Sequence, residues 1–215
     1  MNGNLFPKTN ITFTLDLPNS SIMTKTRLEA FSDGVLAIII TIMVLELKIP
    51  HEVSFQVLID MIPVATCYLL SFIFIGIYWG NHHHLLHTVR CVNSKIIWAN
   101  MGLLFFLSLI PFSTGWMGEN HFQEITVLIY SINLLFCGIA FTILQAVIMA
   151  HHTQSSKMIR ALTKQGYKGV LSLVFYTLAI ASALFYPIIS GIFIVFTSIM
   201  WLIPDKNIEA ALEEE

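Results

Sequence analysis

The side chains best suited to chemistry open the first apolar segment, in Arg27-Leu28-Glu29-Ala30-Phe31-Ser32-Asp33. Asp33 lies about one helical turn inside that segment, where an unpaired carboxylate is costly and usually marks a function or a buried partner. A carboxylate near a helix N-terminus is also favourable by itself, and the two interpretations are compatible. At about 100° per residue, one apolar stripe further along carries Ile38, Thr41, Ile42 and Leu45. Ser32 and Asp33 point away from this stripe, so the helix has two distinct faces.

Partners for the polar face are expected on the next two apolar segments. Trp79 and His82 close the second segment, and Asn100 stands near the start of the third. Because the helices alternate in direction, these side chains fall at the depth of the first helix's polar end. Buried polar groups need hydrogen bonds, since they cannot be satisfied by lipid. We therefore expect one polar network made of Arg27, Ser32, Asp33, Trp79, His82 and Asn100.

Two histidine clusters, His82–His84 with His87 and the pair at 151 and 152, raise the question of a metal site. Spacings of three and four residues suit two ligands on one helix. Both clusters stand at segment ends beside basic residues, however, where solvated histidines are common. We expect no bound metal. An enzyme is not expected either, because Ser32 near His82 is the single nucleophile–base pair at one depth and no oxyanion-hole turn is recognisable.

The composition places these residues in a membrane. Of 215 residues, 56% are hydrophobic and 11% are charged, against roughly 25% charged in a typical soluble protein. So few charges could not solvate a globule of this size. A net charge of −2 offers no basic surface to nucleic acid. The cysteines Cys67, Cys91 and Cys137 show no C-x-x-C pairing and are expected to be reduced.

Long gaps between charges predict an all-α integral membrane protein with six transmembrane helices, since about 20 apolar residues cross a bilayer. The predicted spans cover about residues 28–47, 61–88, 96–117, 125–150, 169–185 and 188–203. The last two are divided at Tyr186-Pro187, because the uncharged run there is too long for one crossing. Residues 25–204 are thus expected to form the membrane domain, with a flexible extension at 1–24 and an acidic tail at 205–215.

The basic residues predict the orientation. With the N-terminus inside, ten of the eleven Lys and Arg residues fall in cytoplasmic segments, and Lys48 alone falls outside. The positive-inside rule therefore places both termini in the cytoplasm. The outer segments instead hold the acidic residues Glu46, Glu52, Asp60, Glu119 and Glu124. We expect an acidic outer mouth at which Glu46 and Glu52 attract cations.

The motif Arg27-x-x-x-Phe31-Ser32-Asp33 resembles the signature of the transmembrane protein 175 family of potassium channels. Further matches are Trp79-x-x-His82, Asn100 and Pro111-Phe112, and the six-span layout agrees over roughly residues 25–203. Prokaryotic members have one six-helix repeat per subunit and assemble as tetramers. The resemblance therefore implies a homotetramer in the lipid bilayer of a prokaryotic plasma membrane, with four copies of the first helix lining the pore.

The same resemblance implies roles for the apolar stripe. By position relative to the aspartate, Ile38 becomes the constriction, Thr41 a ring of hydroxyls and Leu45 an outer apolar ring, with Ile42 as a further candidate. A narrow ring of isoleucines would form a hydrophobic gate that closes by dewetting. The ordinary Thr-Val-Gly-Tyr-Gly filter is missing from the sequence. We expect a passive, modestly selective potassium channel that needs no cofactor.

Two other interpretations stay open on the residues alone. A stripe of Ile, Thr and Leu is also typical of ordinary helix packing. A proton-linked secondary transporter could use Asp33 and His82 as a relay, since ionisable residues inside membranes often serve proton transfer. Such transporters commonly carry inverted repeats and broken helices, which are not evident in this sequence. The channel is therefore the preferred interpretation.

Overall fold

A computed structural model describes residues 23–151 and 156–202. This part of the chain is built from helices and contains no strand. The helices are α1 Lys25–Met43, α2 Phe55–Asp60, α3 Ile62–His87, α4 Ser94–Ser108, α5 Ile110–Glu119, α6 Glu124–His151, α7 Ser156–Ala183 and α8 Pro187–Leu202. Most of the predicted N-terminal extension and the whole acidic tail lie outside the described residues.

The membrane character predicted from composition is confirmed. Within the described residues, five helical segments are long and apolar enough to cross a bilayer. These segments are Lys25–Glu46, Ile62–His87, Ser94–Glu119, Glu124–Ala150 and Ile159–Ala183. The sixth apolar helix is the shorter α8. The protein is therefore an all-α integral membrane protein.

Local sequence signals fix where several helices begin. Thr24 caps α1, its side chain accepting a hydrogen bond from the Arg27 N–H, and Asn93 caps α4 through a 2.9 Å bond from the Ile96 N–H. Pro63 lies in the first turn of α3, where its missing N–H costs nothing. These caps hold the starts of α1 and α4 at defined positions, and the polar residues of the candidate site follow within two turns.

Three boundaries differ from the sequence-based expectation. The sequence does not predict the short α2, because this six-residue segment ends in an acidic residue and lies outside the apolar spans. The third span is two helices, since Pro111 lacks an N–H and crowds the preceding turn, which separates α4 from α5 at Leu109. Helix α7 begins at Ser156, well before the predicted 169, because apolar gaps mark the membrane crossing and a helix can continue beyond it.

The bundle packs α1 against α3, α4 and α5, while α6 contacts α4, α5, α7 and α8. Helices α3 and α5 approach closely at Gly118, where an added Cβ would lie 2.8 Å from Val64 Cα. The fully buried apolar side chains include Leu36, Met43, Ile75, Leu103, Leu107, Ile110, Leu134 and Leu144. α1 is thus held along one side by three helices, and none of the other described helices covers its opposite side.

Candidate functional site

Helix α1 has one buried face and one exposed face. The buried face consists of Leu28, Ser32, Leu36, Ile39 and Met43, spaced three or four residues apart. The exposed face carries the predicted stripe: Ile38 is 57% exposed and Leu45 is 73% exposed, and Thr41 and Ile42 are also exposed. Large apolar side chains are therefore left uncovered along a full helix face, which is available to lipid or to another copy of the chain.

Thr41 presents its oxygen in a particular way. Its hydroxyl donates a 2.9 Å hydrogen bond to the Ile38 carbonyl one turn earlier. The hydroxyl proton is thereby committed to the backbone, while the lone pairs of Oγ1 remain able to accept. An exposed oxygen with free lone pairs and no free proton is suited to meet a cation.

A buried chain of hydrogen bonds ties the opposite face of α1 to α3 and α4. Asn100 Nδ2 donates to Ser32 Oγ at 2.9 Å, and Ser32 Oγ donates to the Leu28 carbonyl at 2.8 Å. Asn100 Oδ1 lies 2.7 Å from His82 Nε2. Because that oxygen can only accept, His82 carries a hydrogen on Nε2. Each of the three side chains is at most 1% exposed, so the chain acts as an anchor that fixes the rotation of α1.

A second, more exposed set of polar contacts runs along the seam between α1 and α3. Trp79 Nε1 donates a 3.0 Å hydrogen bond to Asp33 Oδ1. Eight residues earlier on α1, Lys25 Nζ donates to the His87 carbonyl at 2.7 Å and lies 3.8 Å from Glu29 Oε1. Lys25 thus satisfies a carbonyl at the end of α3, where cations are favoured. The seam and the anchor together hold α1 at its predicted cytoplasmic end.

The single six-residue network expected from the sequence is corrected by this geometry. His82, Asn100 and Ser32 form one cluster, and Asp33 with Trp79 forms another. Arg27 is exposed, and within the described residues its side chain makes no hydrogen bond or ion pair. The reason is its place on the helix, about 140° around the axis from Ser32. Phe31 of the same motif is also exposed.

Acidic residues gather at the opposite end of α1. The Glu46 carboxylate folds over Gly115 of α5, and a Cβ at that glycine would collide with it. Lys48 pairs with Glu119, and this hydrogen bond, together with the negative charge of Glu119, raises the pKa of Lys48 above its ordinary value of 10.5. Glu52 is exposed in the loop before α2. Glu119 is thus neutralised by a lysine, which also interacts with the charge of Glu46 but forms its ion pair with Glu119.

A groove of about 600 Å³ runs between α1 and the α4–α5 segment. Ile38 and Ile42 line its floor on the α1 side, and Phe112 and Trp116, stacked with ring centroids 6.0 Å apart, line the α5 side. Glu46 stands at its outer end. Two residues of the predicted stripe therefore share one concave surface with aromatic side chains of a neighbouring helix.

The remaining histidines pack against one another. His83 stacks on Trp79 with ring centroids 6.1 Å apart and contacts His87 at 4.6 Å. Across residues 23–151 and 156–202, no group of three or more His, Cys, Asp or Glu side chains is placed to hold a metal ion. His152 lies outside the described residues. Asp33 and His82 bond to different partners, so the relay required by the transporter alternative is not formed between them.

Some functional contacts were missed at the level of sequence. The pairing of Asp33 with Trp79 is predicted, but the rest of the seam, Lys25 and Glu29 against His83 and His87, is one of them. Its signal was present, since each set repeats every four residues and antiparallel helices bring such sets together. The contact of Glu46 with Gly115 had no comparable signal, because no local pattern relates the two positions.

Comparison with known proteins places this arrangement in context. The family model described as "Endosomal/lysosomal potassium channel TMEM175" matches residues 27–111, which include the anchor, the exposed stripe and every residue of the seam except Lys25. A potassium channel of Chryseobacterium sp. (strain P1-3) is 51% identical over 192 residues, covering 89% of this chain and 100% of the relative. A potassium channel of Streptomyces collinus is 31% identical over 123 residues, covering 54% of this chain and 60% of the relative.

A solved structure shows the same fold. It is the crystal structure of a lysosomal potassium-selective channel TMEM175 homologue from Chamaesiphon minutus. The TM-score is 0.72 at 24% sequence identity, and the match covers 82% of this chain and 95% of the other. At this identity the likeness concerns the course of the helices and not the individual side chains.

Proposed function

Because the chain belongs to the TMEM175 family of potassium channels, we propose that it conducts potassium passively through a pore lined by α1. The observation that carries this proposal is the exposed face of α1. The anchor of Ser32, Asn100 and His82 fixes the rotation of the helix so that the stripe from Ile38 to Leu45 faces outward. A helix buried on one side by polar bonds and uncovered on the other is suited to line a shared pore.

The pore is completed by further copies of the subunit. We propose a homotetramer, because among the described residues α1 packs against α3, α4 and α5 and exposes its other face, and several such faces are needed to surround a pore. The protein is integral to the membrane. The proposed location is a prokaryotic plasma membrane with both termini in the cytoplasm, in keeping with the distribution of Lys and Arg.

Selection and gating are assigned to two rings of the stripe. Four Ile38 side chains would form an apolar neck that a fully hydrated ion cannot cross and that closes by dewetting. Four Thr41 oxygens, whose protons are held by backbone carbonyls, would replace part of the water lost by the ion. Potassium releases its water more readily than sodium, so the neck favours potassium. Side chains are less rigid than ordered carbonyls, and the selectivity is expected to be modest.

Charge at the outer mouth supports conduction. Glu46 and Glu52 would raise the local cation concentration before the Leu45 ring. Lys48 opposes this effect only in part, because its charge is paired with Glu119. The resulting electrostatic potential is negative where a potassium ion enters, and its magnitude decreases with increasing salt concentration.

The test is potassium flux into liposomes that contain the purified chain, with sodium as competitor. Replacing Ile38 by Asn should wet the neck and raise flux several-fold. Ile143→Asn on α6 is the matched control, because Ile143 is similarly exposed but lies away from α1. An Ile38→Asn channel whose flux equals that of the wild type would contradict the constriction, and flux without preference for potassium in the wild type would contradict the selectivity.

A further inference from the structure

A cavity of about 30 Å³ lies behind α3, between α3, α6, α7 and α8 and away from α1. Aromatic walls come from Phe74 and Phe141, and the polar groups of the lining come from Tyr78, Asn81, Thr142, Ser172, Tyr176, Thr197, Ser198 and Trp201. Among the described residues, no charged side chain lines it. A cavity that combines hydroxyls, amides and aromatic rings without charge is suited to a small neutral polar molecule.

The hydrogen bonds of the lining are incomplete. Within the described residues, neither Tyr78 nor Tyr176 forms a hydrogen bond through its hydroxyl, although Tyr176 is only 2% exposed. The hydroxyls of Thr142 and Ser198 donate to backbone carbonyls at 2.8 and 3.1 Å, which leaves their oxygens free to accept. In the described part of the chain, the cavity therefore contains two tyrosine hydroxyls that have no acceptor and two oxygens, of Thr142 and Ser198, that have no donor. The hydroxyl group of a bound molecule could accept from the first and donate to the second.

The size of the cavity limits the occupant. A water molecule needs about 10–15 Å³ of cavity volume. The cavity of about 30 Å³ therefore holds about two water molecules or one short alcohol. The alkyl part of an alcohol would rest against the rings of Phe74 and Phe141. An ion is disfavoured, because no opposite charge lines the cavity to offset its desolvation.

The same cavity is coupled to the pore-lining helix through α3. Tyr78 and Asn81 of α3 line the cavity, while Trp79 and His82, on neighbouring positions of the same helix, bond to Asp33 and to the anchor. An occupant that shifts α3 therefore acts on both contacts that orient α1.

We propose that this cavity is a binding site for a small neutral hydroxyl-bearing molecule, water or a short-chain alcohol, through which the pore can be modulated. Binding is independent of the channel function proposed above, whereas modulation of flux rests on it. Binding and flux are therefore measured separately.

Binding is tested with 2-bromoethanol, whose bromine quenches indole fluorescence on contact. Trp201 lines the cavity and donates a 2.6 Å hydrogen bond to Ser172, so it reports on an occupant. The purified protein should show a saturable quenching component that is lost in Trp201→Phe. Gly169→Val should also abolish it, because a side chain at Gly169 enters the cavity at ordinary contact distance from Thr142. Gly166→Val on the same helix is the control, since Gly166 lies outside the lining and faces open space.

Quenching that saturates equally in Gly169→Val, or that never saturates in the wild type, would overturn the site for alcohols. Water is tested by Tyr176→Phe without alcohol. Loss of a water-bridged hydroxyl should lower the thermal midpoint by roughly 2–4 °C, whereas removal of an unbonded hydroxyl would leave it unchanged or raise it. An unchanged midpoint would overturn occupancy by water.

Modulation is tested by potassium flux with and without ethanol. Wild type and Gly166→Val should respond to ethanol, and Gly169→Val should not. Equal responses in all three would show an effect through the bilayer and overturn modulation, even where the fluorescence shows binding. Absence of potassium flux in every variant would instead contradict the proposed channel and leave the binding result standing.

Discussion

At the scale of single residues, the two faces of α1 differ in which groups their hydroxyls donate to and accept from. Thr41 gives its proton to the Ile38 carbonyl and keeps its oxygen outward, whereas Ser32 gives its proton to the Leu28 carbonyl and accepts from Asn100. Each hydroxyl thus donates to a backbone carbonyl of its own helix. The Thr41 oxygen is left available to a transient partner, whereas the Ser32 oxygen has a permanent partner in Asn100.

Replacing Thr41 by Val tests the first of these oxygens. Valine keeps the shape but removes the acceptor, and a lost contact to a charged group is worth about 1.5 kcal/mol, roughly tenfold in rate. Potassium flux should fall by about that factor. Thr177→Val is the matched control, because Thr177 is exposed and its hydroxyl also donates to a carbonyl of the preceding turn, that of Leu173, on a different helix. Equal losses in the two variants would argue against a role for Thr41 in conduction.

Replacing Ser32 by Ala tests the second oxygen, which accepts the hydrogen bond from Asn100. Asn100 Nδ2 would remain buried without its acceptor, which should destabilise the protein by about 1 kcal/mol in chemical unfolding. Ser108→Ala is the comparison, because Ser108 is exposed and bonds only to the Phe105 carbonyl of its own helix, so little change is expected. Similar stability of both variants would mean that the anchor contributes nothing measurable.

At the scale of elements, apolar gaps were sufficient to predict the helices that cross the membrane, and helical periodicity was sufficient to separate the two faces of α1. The gaps could not predict the break at Pro111, because a proline within an apolar run also occurs in kinked helices that continue. Contacts between distant helices, such as Glu46 with Gly115, depend on tertiary packing and leave no local trace. The pairing of Asn100 with Ser32 could be predicted because both residues lie at the same depth in the membrane. That Arg27 does not join the network could be predicted only from its angle around the helix axis relative to Ser32.

The approach of α3 to α5 gives a prediction at this scale. Gly118→Ala would place a Cβ 2.8 Å from the Val64 backbone, and the helices would have to separate. We expect a loss of about 1–3 kcal/mol in the free energy of unfolding, as for other overpacked sites. Gly102→Ala on α4 meets nothing within 4 Å and should be neutral or slightly stabilising. Destabilisation of Gly102→Ala to the same extent would assign the effect to helix propensity and not to packing.

At the scale of the whole molecule, the few charged residues indicate a membrane protein, and their distribution along the chain is the basis of the proposed topology. Cys91 is exposed between α3 and α4, whereas Cys67 and Cys137 are buried, so Cys91 is a natural probe among the cysteines. A membrane-impermeant maleimide should label wild-type cells only after permeabilisation. Gln56→Cys, in the exposed α2 that the proposed topology places outside, should become labelled in intact cells. Labelling of Cys91 in intact cells would reverse the proposed topology.

The exposed stripe of α1 also bears on biogenesis. In the proposed assembly, a subunit leaving the translocon has no neighbours, and the face proposed to line the pore must contact acyl chains until the copies join. Ile38, Ile42 and Leu45 are apolar, and Thr41 has already satisfied its proton on its own backbone, so this face can be solvated by lipid at little cost. Under the proposed assembly, the solitary subunit would therefore be stable in the bilayer, and water would reach this face only once the copies meet.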